Sequence, residues 1–440
     1  MSPHSLVTLL FTFVLSISAS PLPTLPTDPT SLLSSSGLAT DDLSTTSSPV
    51  PALSLARRFN HTGSANVLRF DQARARAMRG RTGSYPETYT SSFASGKVFE
   101  IDATSQAVSY VVTVNIGNPP TSYQLLVDTG SSNTFVGAGK TFVMSSTTLL
   151  TTNIMGVQYG SGFFDGSQVY DDIELAEGLI IKNQSIGVAD VSEGFDGVDG
   201  ILGIGPTDLT CAGTIVGEPD KCDPTVTDNA WNMGLLDAHQ VGISFGPTQS
   251  LDDKNGELTF GGVDPTKFRG LLDYVPLTLV SPASSYVGYE QSINYGDMGT
   301  TNVLDHTAGI LDTGTTLVLI ATDAFEKYQQ LTGAVADEDT GLLRITPEQY
   351  GALQNLNFRI GEKDYPLVPN AQIWPRALNE AIGGVADGIY LIVNDIGADS
   401  GQGLDFINGM SFLERYYSVY DIGGSRVGFA ETQYTRAETN

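Results

Sequence analysis

The sequence predicts an all-β molecule of two related lobes with a functional cleft between them. Three observations carry that prediction. An eight-residue segment recurs 184 residues further on. Short apolar-alternating runs punctuated by Gly, Pro, Asn and Asp fill the chain after about residue 97, the texture of strands joined by turns. At 440 residues the chain is too long for a single hydrophobic core.

Taken in order, Leu6–Ile17 (LVTLLFTFVLSI) is an apolar run followed by Ser18, Ala19 and Ser20, which predicts a secretory signal over 1–20 and an extracellular destination. The run is shorter than a membrane-spanning helix. The polar C-terminus AETQYTRAETN argues against a lipid anchor. From Pro21 to about Leu55 the chain is rich in Pro, Ser and Thr and is expected to be flexible. A basic stretch follows, with Arg57, Arg58, Arg69, Arg74, Arg76, Arg79 and Arg81, and VLRFDQARARAMRG predicts a helix. Residues 21–96 are therefore expected to be a removable pro-segment whose basic part lies across an acidic cleft as an intramolecular inhibitor. A first lobe is expected over 97–275 and a second over 276–440. Strands are expected at Tyr110–Ile116 and at YQLLV after the Gly117–Pro120 turn. Others are IELAEGLIIKNQSIGVAD, ELTFGG, LLDYVPLTL, FRIGEKDYPL, GIYLIVND and YYSVYDIGGSRVGFA. Short helices are expected at Asp323–Leu331 and Pro347–Asn355.

Charge separates leader from body. Residues 1–100 carry 8 Lys+Arg and 6 Asp+Glu, whereas 101–440 carry 14 and 43. An acidic body without a basic face excludes nucleic acid as a partner. It keeps an exported protein soluble and repels itself less as carboxylates neutralise in acid. The two cysteines, Cys211 and Cys222, flank a Gly/Pro/Asp-rich stretch, and only His239 and His306 lie beyond the leader. Neither histidine sits at metal-ligand spacing, so a local disulfide is favoured over a metal site, and no metal or cofactor is expected.

The repeat carries the chemistry. Leu125-Leu126-Val127-Asp128-Thr129-Gly130-Ser131-Ser132 returns as Gly309-Ile310-Leu311-Asp312-Thr313-Gly314-Thr315-Thr316, and each copy is followed later by an apolar-Gly segment, GILGIG and FINGM. One D-T-G-[ST] tetrapeptide reads as an ordinary β-turn. Two copies, each behind an apolar strand and one lobe apart, point to paired aspartates on facing tight turns. Gly130 and Gly314 let the loops approach. Thr129 and Thr313 can tie the loops together by hydroxyl hydrogen bonds, and Ser131 and Thr315 can orient the outer carboxylate oxygens. Two carboxylates about 3 Å apart at an effective dielectric of about 20 repel by on the order of 5 kcal/mol. Such a pair shares one proton and titrates as a unit. It is suited to activating a water for attack on an amide, without metal or covalent intermediate. The scarcity of histidine argues against serine-hydrolase chemistry, and no H-E-x-x-H motif supports a metalloprotease.

At these residues the chain resembles the pepsin family of aspartic proteases over roughly residues 97–440. The motifs are LLVDTGSSNTFVG, VQYGSGFFDG, FDGVDGILGIGP, GELTFGGVDP, AGILDTGTTL and FINGMSFLERYYSVYD. The resemblance implies a pepsin-like bilobal β fold, a monomer acting on protein or peptide substrates, and Asp128 and Asp312 as catalytic residues. It implies a hairpin flap with Tyr159 at its tip and Gly160 and Ser161 bonding substrate. Leu126, Tyr159 and Ile201 would line an apolar pocket before the scissile bond. A non-catalytic binding protein of the same fold is the rival, but such proteins usually lose one D-T-G or the flap tyrosine. Phe135 stands where the family often has Trp and lacks the indole donor. Ser161 replaces an Asp found in relatives that accept Lys. Asn408-Gly409-Met410 departs from the usual apolar-Gly-acid pattern and is expected to alter packing behind Asp312. A pro-segment base is expected at the two aspartates, its identity left open among the arginines and Lys97. Sequons stand at Asn60-His61-Thr62 and Asn183-Gln184-Ser185.

Overall fold

Alternation at the start of the body becomes the strand Ser109–Ile116, which buries Tyr110, Val112, Val114 and Ile116 and exposes Thr113. It pairs antiparallel with Thr121–Asp128, Val111 opposite Leu126. In this computed structural model the described residues are 51–58, 66–80, 109–160, 162–211, 215, 221–250, 252–296 and 300–440. The signal run Leu6–Ile17, most of the Pro/Ser/Thr segment, the Asn60 sequon, Lys97 and Ser161 lie outside them.

The architecture is mostly β and bilobal. Among the described residues, one sheet of 13 strands, one of seven and one of three make up the β structure. Both expected helices in the second lobe form. Thr322–Thr332 ends at Gly333, whose φ of 67° turns the chain out of the helix. Pro347–Ala352 opens with a reciprocal Thr346/Gln349 capping box and stops three residues short of Asn355, because Leu353 turns extended and Leu356 begins a strand. The segment 163–193 is a long hairpin, Phe163–Ala176 against Leu179–Glu193. Asn183 of the second sequon is exposed on it at a φ of 55°.

One expectation fails. The end of the supposedly flexible leader is a strand, Ala52–Arg58, inserted between Asp252–Phe260 and Ser109–Ile116. Leu53 and Leu55 are buried from opposite Leu258 and Gly256. Their period-two spacing is a strand signal that the surrounding Pro/Ser/Thr composition masks, and two waiting sheet edges supply the hydrogen bonds. The large sheet also crosses the expected lobe boundary: Tyr416–Asp421, near the end of the chain, pairs with Gln240–Ser244.

Cys211 and Cys222 are joined by a disulfide, S–S 1.98 Å. The neck of its loop is closed a second time by Thr210, whose hydroxyl donates to the Asp223 carbonyl and accepts the Asp223 N–H at 2.8 and 2.9 Å.

Each repeat copy sits in the same local frame. Thr121–Asp128 runs parallel to Gly200–Gly203, with Asp128 beside Gly203. Thr301–Leu311 runs parallel to Phe406–Asn408, with Leu311 beside Asn408. Both aspartates therefore emerge at the C-terminal end of a buried strand, braced by an apolar-Gly segment.

Candidate active site

The two D-T-G loops meet. The Thr313 hydroxyl accepts the Thr129 N–H at 3.0 Å and donates to the Val127 carbonyl at 3.0 Å. Reciprocally, the Thr129 hydroxyl accepts the Thr313 N–H at 3.0 Å and donates to the Leu311 carbonyl at 3.3 Å. Both threonines are buried, so each hydroxyl satisfies groups that water cannot reach. Thr313→Val should leave one N–H and one C=O unpaired and lower stability by on the order of 3 kcal/mol, with Thr313→Ser close to wild type. Thermal unfolding of the two variants checks this.

The carboxylates are held alike. Asp128 accepts from the Gly130 N–H (2.9 Å) and the Ser131 hydroxyl (2.5 Å). Asp312 accepts from the Gly314 N–H (3.1 Å) and the Thr315 hydroxyl (2.5 Å). Glycine is required at both turns because each faces the opposite aspartate. A Cβ on Gly130 would lie 2.7 Å from Asp312 Oδ1, and one on Gly314 2.7 Å from Asp128 Oδ1.

Arg74, from the helix Asn66–Gly80, fills the space between them. Its Nε donates to Asp312 Oδ2 at 2.6 Å, and its Nη2 donates to Asp312 Oδ1 at 2.9 Å and to Asp128 Oδ1. Of the arginines weighed from the sequence, Arg74 is the one that the structure places against both aspartates. The helix offers a buried stripe of Val67, Asp71, Arg74, Ala75 and Met78. Its far end is held by Gln72 and Arg79 on the carbonyls of Asp395 and Ile396, and by the Tyr286 hydroxyl on the Met78 carbonyl.

Burial pushes the Asp128 carboxyl above its ordinary range, assisted by the neighbouring charge of Asp312 and opposed by Arg74. Asp312 is equally buried, but the charge and hydrogen bonds of Arg74, with Thr315 and Gly314, outweigh desolvation and hold it below the usual range. The Arg74 guanidinium stays protonated: desolvation disfavours its charge and the two carboxylates more than restore it.

Above the dyad stands the hairpin of Leu149–Gln158 and Phe163–Ala176. Tyr159 at its tip donates its N–H to the Gly162 carbonyl at 2.7 Å. Gly160 lies directly on the helix: a Cβ there would come within 2.1 Å of the Arg74 Cα. The helix thus lies between hairpin tip and carboxylates. Leu126, Tyr159 and Ile201 share one apolar cluster with Phe135, Phe164 and Phe195. Phe135 stacks on Phe164 at 4.2 Å, and Phe195 packs edge-on against both Phe135 (5.0 Å) and Tyr159 (5.5 Å). Ring packing thus braces the hairpin at the position where Trp would have donated a hydrogen bond. Behind Asp312, the Asn408 amide donates to the Tyr289 hydroxyl (2.5 Å) and to Gln291 Oε1 (2.9 Å). Its departure from an apolar residue is absorbed as a satisfied buried network.

Fold, crossed threonine loops and paired buried carboxylates are those of the aspartic-protease class. The chain belongs to the eukaryotic aspartyl protease family, whose profile matches residues 109–432. It is similar to polyporopepsin of Irpex lacteus, 54% identical over 340 residues covering 77% of this chain and 99% of the relative. It is also similar to pepsin A of Rhinolophus ferrumequinum, 27% identical over 73% of this chain and 81% of the relative. The crystal structure of the aspartic proteinase from Irpex lacteus superposes with a TM-score of 0.74 at 55% identity, covering 76% of this chain and 96% of that one. The protein is accordingly an aspartic-type endopeptidase, a hydrolase acting on peptide bonds.

Proposed function

We propose that this is a secreted zymogen whose Asp128 and Asp312 form the catalytic dyad, held inactive by residues 21–96 through Arg74. The observation that carries the reading is the seat of Arg74 on three carboxylate oxygens of the pair. A cation bound there blocks the place of the attacking water and opposes protonation of either carboxylate. Expected lobes at 97–275 and 276–440 follow once the pro-segment is removed, leaving a monomer. The apolar run at Leu6–Ile17 supports export, and among the described residues no helix is long and apolar enough to cross a membrane.

With the helix gone, the two carboxyls share one proton and hold one water. The ionised carboxylate takes a proton from the water as its oxygen attacks the scissile carbonyl. The protonated partner gives its proton to the carbonyl oxygen, producing a neutral diol. Proton transfer to the amide nitrogen then lets the C–N bond break. Ser131 and Thr315 keep the outer oxygens aimed, and the threonine crossing holds the two loops at constant separation. Tyr159, Gly160 and Ser161 would close over the peptide, and the cluster of Leu126, Tyr159 and Ile201 favours bulky apolar or aromatic side chains beside the scissile bond.

The test is cleavage of a denatured protein in acid with and without a statine-type transition-state mimic. Cleavage abolished by the mimic supports the reading, and no cleavage by the converted protein overturns it. With Ser161 in place of an acidic residue, peptides varied only before the scissile bond should be cut at least about tenfold more slowly after Lys than after Phe. Equal rates would sink that specificity.

A further inference from the structure

We propose that Asp71 is a second anchor of the inhibitory helix, independent of Arg74, with its carboxylate gripping the backbone that follows the Asp312 loop. The proposal rests on the reading of the helix as a removable inhibitor and adds how it is held.

Asp71 is fully buried. Both of its oxygens accept the Thr316 N–H, at 3.2 and 3.1 Å, and one accepts the Leu317 N–H at 2.8 Å. Thr316 and Leu317 directly follow the D-T-G-T segment. Asp71 and Arg74 are three residues apart, on one helix face. Arg74 spends its Nε and Nη2 on Asp128 and Asp312. The helix therefore meets the Asp312 loop with opposite charges at two places, cation to the Asp312 carboxylate and carboxylate to the Thr316 and Leu317 amides.

Packing alone does not explain an aspartate here. Desolvation is the largest influence on its carboxyl and pushes its pKa up to about 7, with the nearby Asp312 adding to the rise while the two amide bonds and Arg74 oppose it. A leucine would fill the stripe without that cost. What the carboxylate supplies is the pair of amide bonds, and these exist only while the helix is seated.

The experiment uses the full chain at neutral pH and titrates a statine-containing peptide as a probe of the open cleft. Asp71→Ala should raise probe affinity on the order of tenfold or more over wild type, the scale of leaving two buried N–H groups unpaired when the helix is seated. Asp71→Asn, which keeps an acceptor, should stay within about threefold. In an Arg74→Met background, Asp71→Ala should multiply the effect. An unchanged affinity in Asp71→Ala overturns the proposal. So does an effect that vanishes in Arg74→Met, because Asp71 would then only aim Arg74. If Arg74→Met itself fails to open the cleft, the inhibitory reading falls; if it opens and Asp71→Ala does not, only the second anchor falls. The converted Asp71→Ala enzyme should show wild-type kcat/KM, since the residue has left with the helix. Hydrogen exchange on the wild-type chain decides the matter without a variant. Amides of residues 314–320 should lose protection once the helix is removed, and unchanged protection overturns the proposal.

Discussion

Asp128→Asn should lower kcat by about 10⁴-fold or more and abolish self-conversion in acid. Asparagine preserves the shape of the site and its bonds to Gly130 and Ser131, so the fold should survive. It removes the proton shuttle, because an amide neither takes a proton from water nor shares one with Asp312. General acid and base roles contribute about 10²–10⁴ each, and residues that act as a unit fail together. Asp312→Asn should therefore cost the same, and the double variant little more. N-terminal sequencing after acidification gives the second readout: wild type should yield a new N-terminus beyond Gly80, while the purified variant should not. Conversion of the variant alone would count against Asp128 as a catalytic residue.

Arg74→Met should have the next largest effect, unseating the helix at neutral pH. Methionine preserves much of the volume and removes the charge. Breaking a buried ion pair by deleting one partner costs about 3–5 kcal/mol, about 10²-fold to several thousand-fold in the seated-to-open ratio. The sign of the pH dependence follows from the same contact. Arg74 favours the charged forms of both Asp128 and Asp312, so the carboxyls bind protons more readily once the helix has left. Seating is therefore strong where the dyad is charged and is lost as pH falls through the lowered pKa of Asp312. Arg74→Met should bind the statine probe at neutral pH and lose most of this acid dependence. A variant that stayed closed until acidified like wild type would overturn the role given to Arg74.

Asp71 acts with the opposite sign. Its raised pKa means that the seated helix takes up a proton as pH falls below about 7, which strengthens seating until the dyad protonates. On the proposed inhibitory reading, Arg74 would supply an acid trigger and Asp71 a counterweight that confines release to stronger acid. Asp71→Asn should flatten the near-neutral limb of the seating profile, measured with the same probe.

Much of the site was legible from residue order. The doubled D-T-G-[ST], the apolar strand before each copy and the apolar-Gly segment after it encode a local frame in which neighbours in sequence are neighbours in space. Asp128, Gly130 and Ser131 bond among themselves within four residues, and so do Asp312, Gly314 and Thr315. Arg74 was hidden because seven arginines share the leader and the distance from residue 74 to 312 leaves no periodic trace. A signal was nonetheless present. Asp71 and Arg74 lie on the stripe of Val67, Ala75 and Met78 at helical spacing, and two charges on the buried face of a helix require partners from elsewhere.

The sequence by itself determined the all-β class, the two copies of the aspartate loop and the chemistry that two carboxylates can perform, since each depends on short-range pattern. Tertiary structure alone decided which leader residue contacts both aspartates, that Ala52–Arg58 is a sheet strand, and that an aromatic cluster braces the Tyr159 hairpin. Those outcomes depend on which groups distant parts of the chain bring together: two buried carboxylates and a cation, two sheet edges and a strand, and amides at Thr316 and Leu317 that donate to a carboxylate 245 and 246 residues away.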